Sequence, residues 1–257
     1  DAFLLLSFGG PERPEEVMPF LRRVTGGRGV PDERLAEVAA HYHRFGGRSP
    51  INDANRALLA SIGALLDMPC YWGNRNSAPF LADTLARMTS DGVTHAAVLA
   101  TSAYPGWSSC GQYRTDLALT SQALREHGVA PPALTKLRPF YDTDGFLDPV
   151  ADGVRRAVAQ LPDGSAVVCS AHSVPLAAAA TSGYRQAVEA AAAEVVRRAG
   201  IGTDRTDRPD RTYRPDRLVR LAWQSRSGPP SVPWLEPSLA DTLAELAGAG
   251  APGVVVC

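Results

Sequence analysis

One histidine, His172, directly follows an apolar, strand-like run at residues 166–170. Ser170 and Ser173 bracket it, so the imidazole should project into a crevice, where it could bind a metal ion or accept a proton. The alternative is a histidine held by hydrogen bonds in a tight turn, and the spacing alone leaves both open. A serine hydrolase is disfavoured, because the chain has no Gly-x-Ser-x-Gly elbow and a Ser-His neighbour pair does not make a triad.

Aromatic and basic residues occur near the ends of the other strand-like runs. A planar apolar ligand would suit these rings in a chain that is only 7% aromatic, although at least half of them should be core. Arginines near the same ends could pair with carboxylates of a ligand, whereas each one singly is more often a solvated surface charge. The rings are Trp72, Tyr104, Trp107, Tyr113 and Trp223, and the arginines are Arg44, Arg48, Arg75, Arg114 and Arg226.

Two glycine pairs, at residues 9–10 and 46–47, could bring backbone amides close to an anion, but neither completes a nucleotide-binding pattern. Their expected role is to let one chain segment approach another segment, or a flat ligand, closely. His41 and Tyr42 lie just before the second pair and are therefore candidate substrate contacts. No histidine other than His172 is assigned to a metal.

The composition indicates a globular protein without a global affinity for nucleic acid. The 257 residues are 45% hydrophobic and 21% charged, with a formal net charge of -1. No apolar run approaches the ~20 residues of a membrane-spanning helix, and the start lacks the basic residues of a secretion signal, so a cytoplasmic location is expected. Four cysteines without a Cys-x-x-Cys pair argue against a zinc site and a disulfide framework.

Short β-branched runs alternate with helical patterns along the chain, which is typical of an α/β fold with parallel sheets. Strands are predicted at residues 3–7, 69–72, 95–101, 134–137, 166–170, 218–223 and 253–257. Helices are predicted around residues 15–24, 52–66, 79–89, 111–127, 149–161, 182–198 and 239–247, the sixth capped by Gly200. Ligands collect at the carboxyl ends of parallel strands, so the residues just after each strand matter most.

Two similar passages indicate a duplicated plan. LLLSFGGP at residues 4–11 and VVCSAHSVP at residues 167–175 each run from an apolar strand into a turn that ends at proline. We therefore expect an N-terminal half over residues 1–130 and a C-terminal half over residues 131–257. Residues 203–217 are rich in Asp, Arg, Pro and Thr and should form a solvated loop that contains an insertion.

Five segments of the chain together resemble the ferrochelatases. They are LLLSFGGP (4–11), FGGRSPIN (45–52), GNRN (73–76) followed by Pro79 and Phe80, SAHSVP (170–175) and WQSRSGPPSVPWLEP (223–237). They occur in family order across nearly the whole chain, and the last two are specific. The sequences of these segments are most similar to those of the actinobacterial branch of the family. Members of this branch insert ferrous iron into coproporphyrin III to give Fe-coproporphyrin III (coproheme) on the way to heme.

The resemblance implies two Rossmann-like halves with parallel four-stranded sheets and a porphyrin cleft between them. It makes His172 the residue that binds the incoming iron or accepts the pyrrole protons. Ser49 and Tyr113 match positions that contact the porphyrin, which we expect to be at its propionates. Phe8 stands where some relatives carry a tyrosine that ligates the product iron. Phenylalanine cannot ligate iron, so we expect Phe8 to pack against the macrocycle.

The sequence departs from the family pattern at its end. The family continues past the position of Cys257 into a segment with a glutamate that works opposite the histidine, and Glu236 matches a different segment. We therefore expect a truncated C-terminal half. Some relatives also hold a two-iron two-sulfur cluster on largely C-terminal cysteines, for which Cys110 could be one ligand at most.

The sequence leaves three alternatives to the insertion of iron into coproporphyrin III. The chain could act on protoporphyrin IX, it could insert cobalt or nickel into another tetrapyrrole, or it could be a non-catalytic porphyrin or heme carrier. The expected partners are a porphyrin and ferrous iron, both as substrates, and transient contacts with other heme-pathway enzymes. Nucleic acid is not an expected partner, and no transmembrane segment is expected.

Overall fold

The computed structural model describes residues 1–26, 29–201, 217–227 and 231–257. They form two compact units, the first comprising Asp1–Ser102 and Cys110–Arg138, the second Ala103–Ser109 and Pro139–Cys257. The division falls a few residues beyond the boundary expected after residue 130, because a strand near residue 135 pairs within the first sheet. Apart from Arg217, the loop predicted at residues 203–217 lies outside the described residues.

The first unit is built on a parallel sheet of four strands. These are β1 (Ala2–Ser7), β2 (Cys70–Asn74), β3 (His95–Ala100) and β4 (Ala133–Lys136), in the spatial order β2-β1-β3-β4. The central strand β1 is buried along its whole length, in keeping with its apolar sequence. The helices are α1 (Val17–Val24), α2 (Asp32–Arg44), α3 (Ile51–Gly63), α4 (Leu81–Ser90) and α5 (Gln112–Glu126), and a 3-10 turn, Pro14–Glu16, precedes α1.

The second unit carries a parallel sheet that has three strands among the described residues. They are β5 (Ala166–His172), β6 (Val219–Gln224) and β7 (Val254–Val256), in the order β6-β5-β7. The described residues of this half thus contain three of the four strands that the resemblance implies. The helices are α6 (Asp144–Val158), α7 (Leu176–Ser182), α8 (Tyr184–Ala199) and α9 (Leu239–Gly248).

Each unit has its own apolar core. In the first, Leu4, Leu6 and Val98 of the sheet pack against Leu85 and Met88 of α4, all fully buried. In the second, the buried face of α6 packs against that of α8 and against β5, through Val154, Val158, Val167, Ala191 and Val195. No helix in the described part of the chain is long and apolar enough to cross a membrane.

All seven predicted strands are present, whereas the helix predictions miss α2 and α7 and place the start of α6 too late. The amphipathic helix α2 was missed, because it buries only Leu35 and Ala39 and so carries a weak apolar pattern. Helix α6 begins before Pro149, which lies inside it instead of at its first turn. The helix predicted over residues 182–198 is confirmed as α8, and Gly183, whose φ is 65°, separates it from the short helix α7, which was missed. The Gly200 cap is confirmed, with φ at 72°.

Candidate active site

The turn after β1 brings three segments of the first unit together. A Cβ at Gly9, whose φ is 78°, would lie 2.4 Å from Oγ of Ser77. A Cβ at Gly10 would lie 2.7 Å from Cγ2 of Ile51 and from Cβ of Ser49. Only glycine at both positions lets the turn contact the start of α3 and the loop after β2, which confirms the close approach predicted for this glycine pair.

Ser49 lies against this turn, one residue before Pro50 and the start of α3. Its backbone N–H donates to the carbonyl of Pro11 at 2.8 Å, and its Oγ accepts the N–H of Ile51 at 3.4 Å. The side chain is half-buried, and among the described residues its hydroxyl donates no hydrogen bond. That proton is free for a ligand oxygen, such as a carboxylate.

Three aromatic rings form a line beside the turn. The ring of Phe8 packs edge-on against Phe20 at 6.1 Å between centroids, and Phe20 packs edge-on against Tyr42 at 6.1 Å. Phe8 and Tyr42 are half-buried, and burial raises the pKa of the Tyr42 phenol. The structure thus joins two of the predicted substrate contacts through a third ring. His41, the residue before Tyr42 on α2, is exposed.

Arg75 extends this line towards Tyr113. Its guanidinium lies 5.8 Å from the centre of the Phe8 ring and 5.5 Å from that of Tyr113. It also forms an ion pair with Asp116, and both side chains are about four-fifths buried. Burial raises the pKa of Asp116, and the charge of Arg75 opposes that rise.

Tyr113 is buried on α5, with 4% of its surface exposed. Burial raises the pKa of its phenol, whereas the charge of Arg75 and a hydrogen bond with Thr101 lower it. The phenol therefore stays protonated at neutral pH and can act as a hydrogen-bond donor.

Two residues of this region were not singled out from the sequence. Phe20 joins the rings of Phe8 and Tyr42, and Asp116 pairs with Arg75. The signal for Asp116 is its spacing, because a residue three positions after Tyr113 lies on the same helix face. Phe20 carries only the ordinary signal of a buried helix position, which does not separate a ligand-facing ring from core.

In the second unit, the backbone around His172 is held at several points. His172 is the last residue of β5 and pairs with Gln224 of β6. Its carbonyl accepts the hydroxyl of Tyr184 at 2.9 Å, and the N–H of Ser173 donates to the carbonyl of Gln224 at 2.7 Å. The hydroxyl of buried Ser173 donates to the carbonyl of Leu235 at 2.9 Å. These bonds fix the position from which the imidazole projects.

The imidazole of His172 itself is exposed, and within the described ranges it makes no side-chain hydrogen bond. The alternative of a histidine tied by hydrogen bonds into a turn therefore has no support in this part of the chain. Next to it, Ser225 follows β6 with φ at 62°, a left-handed conformation that is uncommon for residues other than glycine. Both ring nitrogens of His172 are available for a proton or a metal ion.

Comparison with known proteins settles the family. The sequence model of the ferrochelatase family matches residues 1–257. This chain belongs to the ferrochelatase family. A protein of Streptomyces griseus subsp. griseus, named coproporphyrin III ferrochelatase, is 47% identical, over all of this chain and 71% of its own length. Proteins of the same name from Frankia alni and Mycobacterium ulcerans are 49% and 48% identical over the whole chain, which spans 66% and 71% of their lengths.

Ferrous iron is a substrate of ferrochelatases, so a metal centre that the protein keeps would be a different site. Among the described residues, no three His, Cys, Asp or Glu side chains lie close enough together to hold a metal ion. Cys110 is half-buried and lies in the π-helical segment Trp107–Gly111. The described residues therefore offer no ligand set for a two-iron two-sulfur cluster. That Cys110 is one ligand of such a cluster stays a prediction.

Proposed function

We propose that this ferrochelatase inserts ferrous iron into coproporphyrin III to form Fe-coproporphyrin III in heme biosynthesis. The observation that carries the proposal is the identity of 47–49%, over the whole chain, to actinobacterial proteins named for that substrate. The arrangement of rings and polar groups in the first unit and the exposed His172 in the second support it.

His172 is the proposed catalytic residue and the first protein contact of the iron. During metalation two pyrrole N–H protons must leave the macrocycle while the ferrous ion exchanges water for pyrrole nitrogens. A neutral imidazole can accept one proton at a time and pass it to solvent, and the same ring nitrogen can bind iron. The exposure of this imidazole, together with the hydrogen bonds that fix its backbone, supports both roles.

The proposed substrate contacts are Phe8, Tyr42, Ser49, Tyr113 and His41. The rings of Phe8 and Tyr42 would pack against the flat apolar macrocycle. The hydroxyls of Ser49 and Tyr113 would donate to propionate oxygens, and His41 would contact the edge of the substrate. Phe8 has no ligating atom, so it would leave the iron without a protein ligand from the turn after β1.

Arg75 adds a positive charge beside these contacts. Asp116 neutralises this charge, so its main role would be to hold the Phe8 and Tyr113 rings in place. Charge-assisted bonds to substrate propionates would therefore depend on the hydroxyls of Ser49 and Tyr113. Coproporphyrin carries more propionates than protoporphyrin, so hydroxyls that bind propionates favour the former. Transient contacts with other heme-pathway enzymes and a cytoplasmic location stay predictions.

The test is anaerobic insertion of ferrous iron, followed by absorbance, with coproporphyrin III and protoporphyrin IX in parallel. We expect kcat/KM to be at least about tenfold higher for coproporphyrin III, because unpaired polar groups penalise a substrate that lacks the matching carboxylates. A preference for protoporphyrin IX would overturn the proposed substrate. Tight binding of both porphyrins without any iron-dependent change in absorbance would instead identify a carrier.

A further inference from the structure

Two cysteines that are 88 positions apart in the sequence, Cys169 and Cys257, lie side by side in the second unit. Their Sγ atoms are 3.4 Å apart. The preceding residues, Val168 and Val256, are paired in the register of β5 and β7. Neighbouring strands are ~4.7–4.9 Å apart, and disulfides need Cα separations of ~4.4–6.8 Å, so side-chain rotation alone can close the bond.

The backbone around the pair is already held in place. The N–H of Cys257 donates to the carbonyl of Val168 at 3.0 Å, and the N–H of Ser170 donates to the carbonyl of Cys257 at 2.6 Å. These bonds continue the ladder between the two strands past the end of β7. Bond formation between the thiols would therefore leave the strand pairing intact.

A cavity of 220 Å³ gives small molecules access to both thiols. Cys169 and Cys257 line it together with Tyr104, Val188 and Leu221. Cys169 itself is 6% exposed, so the cavity is its contact with the surroundings. A water molecule occupies about 30 Å³ in the liquid, so the cavity accommodates an oxidant as small as hydrogen peroxide.

We propose that Cys169 and Cys257 are a redox modification site that closes to a reversible intramolecular disulfide when the protein meets a peroxide. The thiolate of Cys257 attacks one peroxide oxygen, the O–O bond breaks, and hydroxide leaves with the electron pair, giving a sulfenic acid. The thiol of Cys169 then attacks that sulfur and releases water. In total, two thiols and one hydrogen peroxide give one disulfide and two waters.

The local electrostatics assign the two roles. The hydrogen bond with Cys169 lowers the pKa of Cys257, against the effect of burial. The same interaction and burial raise the pKa of Cys169. Cys257 is therefore the thiol that ionises first and reacts with the oxidant, and Cys169 is the thiol that resolves the sulfenic acid.

The test uses a Cys70→Ser/Cys110→Ser variant of the protein, which leaves Cys169 and Cys257 of the four cysteines in this chain. After hydrogen peroxide, the titratable thiols of the pair should fall from two to none, and the intact mass should drop by two hydrogen atoms. Dithiothreitol should restore both values. Peptide mapping of the oxidised unmodified protein should find the Cys169 peptide joined to the Cys257 peptide, whether or not the variant folds.

A variant that also carries Cys169→Ala is the matched control, because it keeps the reactive thiol and removes the resolving one. It should gain oxygen atoms at Cys257 without an intramolecular bond. Two outcomes would overturn the proposal. One is that both thiols survive peroxide in the folded protein, and the other is that oxygen is added to Cys257 while Cys169 remains a thiol. Neither outcome depends on iron insertion, so the proposed function is tested separately.

Discussion

The guanidinium of Arg75 lies 5.5 Å from the centre of the Tyr113 ring and is held there by an ion pair with Asp116 on the same helix as Tyr113. The loop after β2 is thereby fixed to α5, and the Phe8 ring lies on the same guanidinium at 5.8 Å. Because a cation between two rings gains from both ring faces, this contact positions the two aromatic side chains relative to each other.

Replacement of Arg75 by Met should therefore destabilise the first unit and not only change a charge. It leaves the carboxylate of Asp116 largely buried without its partner, which we expect to cost about 1–2 kcal/mol of unfolding free energy. Urea unfolding of Arg75→Met, Asp116→Asn and the double variant measures this. The double variant should lose less than the sum of the single losses. Additive losses would show that the ion pair does not contribute to stability.

Tyr113→Phe should weaken porphyrin binding more than it slows chemistry. The variant keeps the buried ring and removes only the hydroxyl, so KM for coproporphyrin III should rise about 3–10-fold with kcat nearly unchanged. Tyr71→Phe is the matched control, since Tyr71 is also buried in this unit and its hydroxyl donates to Asp91 at 2.8 Å. An unchanged KM for Tyr113→Phe would remove Tyr113 from the substrate site.

His172→Ala should abolish iron insertion while leaving porphyrin binding largely intact. Loss of a positioned acid-base group lowers kcat by about 10²–10⁴-fold, and here the iron contact is lost with it. His95→Ala, which removes another exposed histidine at the start of a strand, should retain full activity. Absorbance assays for turnover and a fluorescence titration for porphyrin binding separate the two effects. If His172→Ala instead fails to fold, the role of His172 is structural.

The strands were predictable from the sequence and the helix boundaries less so, for physical reasons. An apolar run such as residues 3–7 has one stable place, in the middle of a sheet, and β1 occupies it. Helix α2 is polar on most of its surface, so its pattern resembles that of a loop. Gly183 adopts a left-handed φ and ends a helix in the middle of an alanine-rich run. The amino-acid composition does not show which φ a glycine adopts, so this helix end was not predictable.

The candidate site was predictable where a residue type is unusual at its position. His172 stands out after an apolar strand, and the glycine pair at residues 9–10 has a purely steric role. Pairings across long sequence separations were not predictable. Examples are Arg75 with Asp116, and Cys169 with Cys257, whose neighbourhood follows from strand order.

Gly10→Ala should destabilise the protein by about 1–3 kcal/mol, because the added methyl group would overlap Ser49 and Ile51 in a packed turn. Gly145→Ala, in the first turn of α6, is the matched control. A Cβ there meets nothing within 4 Å, so that change should be neutral or stabilise the protein by about 0.5 kcal/mol. Thermal or urea unfolding measures both. Equal stability of the two variants would contradict the close packing of the turn.

Helix α8 carries a group of ion pairs that should make stability depend on pH. Glu194 accepts hydrogen bonds from Arg197 at 2.6 and 2.7 Å and from Arg198 at 2.7 Å. Arg198 also donates to Asp148 at 2.6 Å and pairs with Asp144 at 2.8 Å, which ties α8 to α6. Chiefly through the hydrogen bonds from the two arginines, the pKa of Glu194 is lowered from 4.5 to about 2.

The sign of the resulting pH effect follows from linkage. Because the folded protein holds the Glu194 proton less tightly than the unfolded chain does, the stabilisation is fully present above pH 4.5 and is lost as pH falls towards 2. Glu194→Gln should therefore unfold more easily than the unmodified protein above pH 4.5, and the difference should shrink as pH falls to about 2. Urea unfolding at a series of pH values in this range measures the difference directly. A difference that stays constant with pH would show that Glu194 titrates alike in the folded and unfolded states.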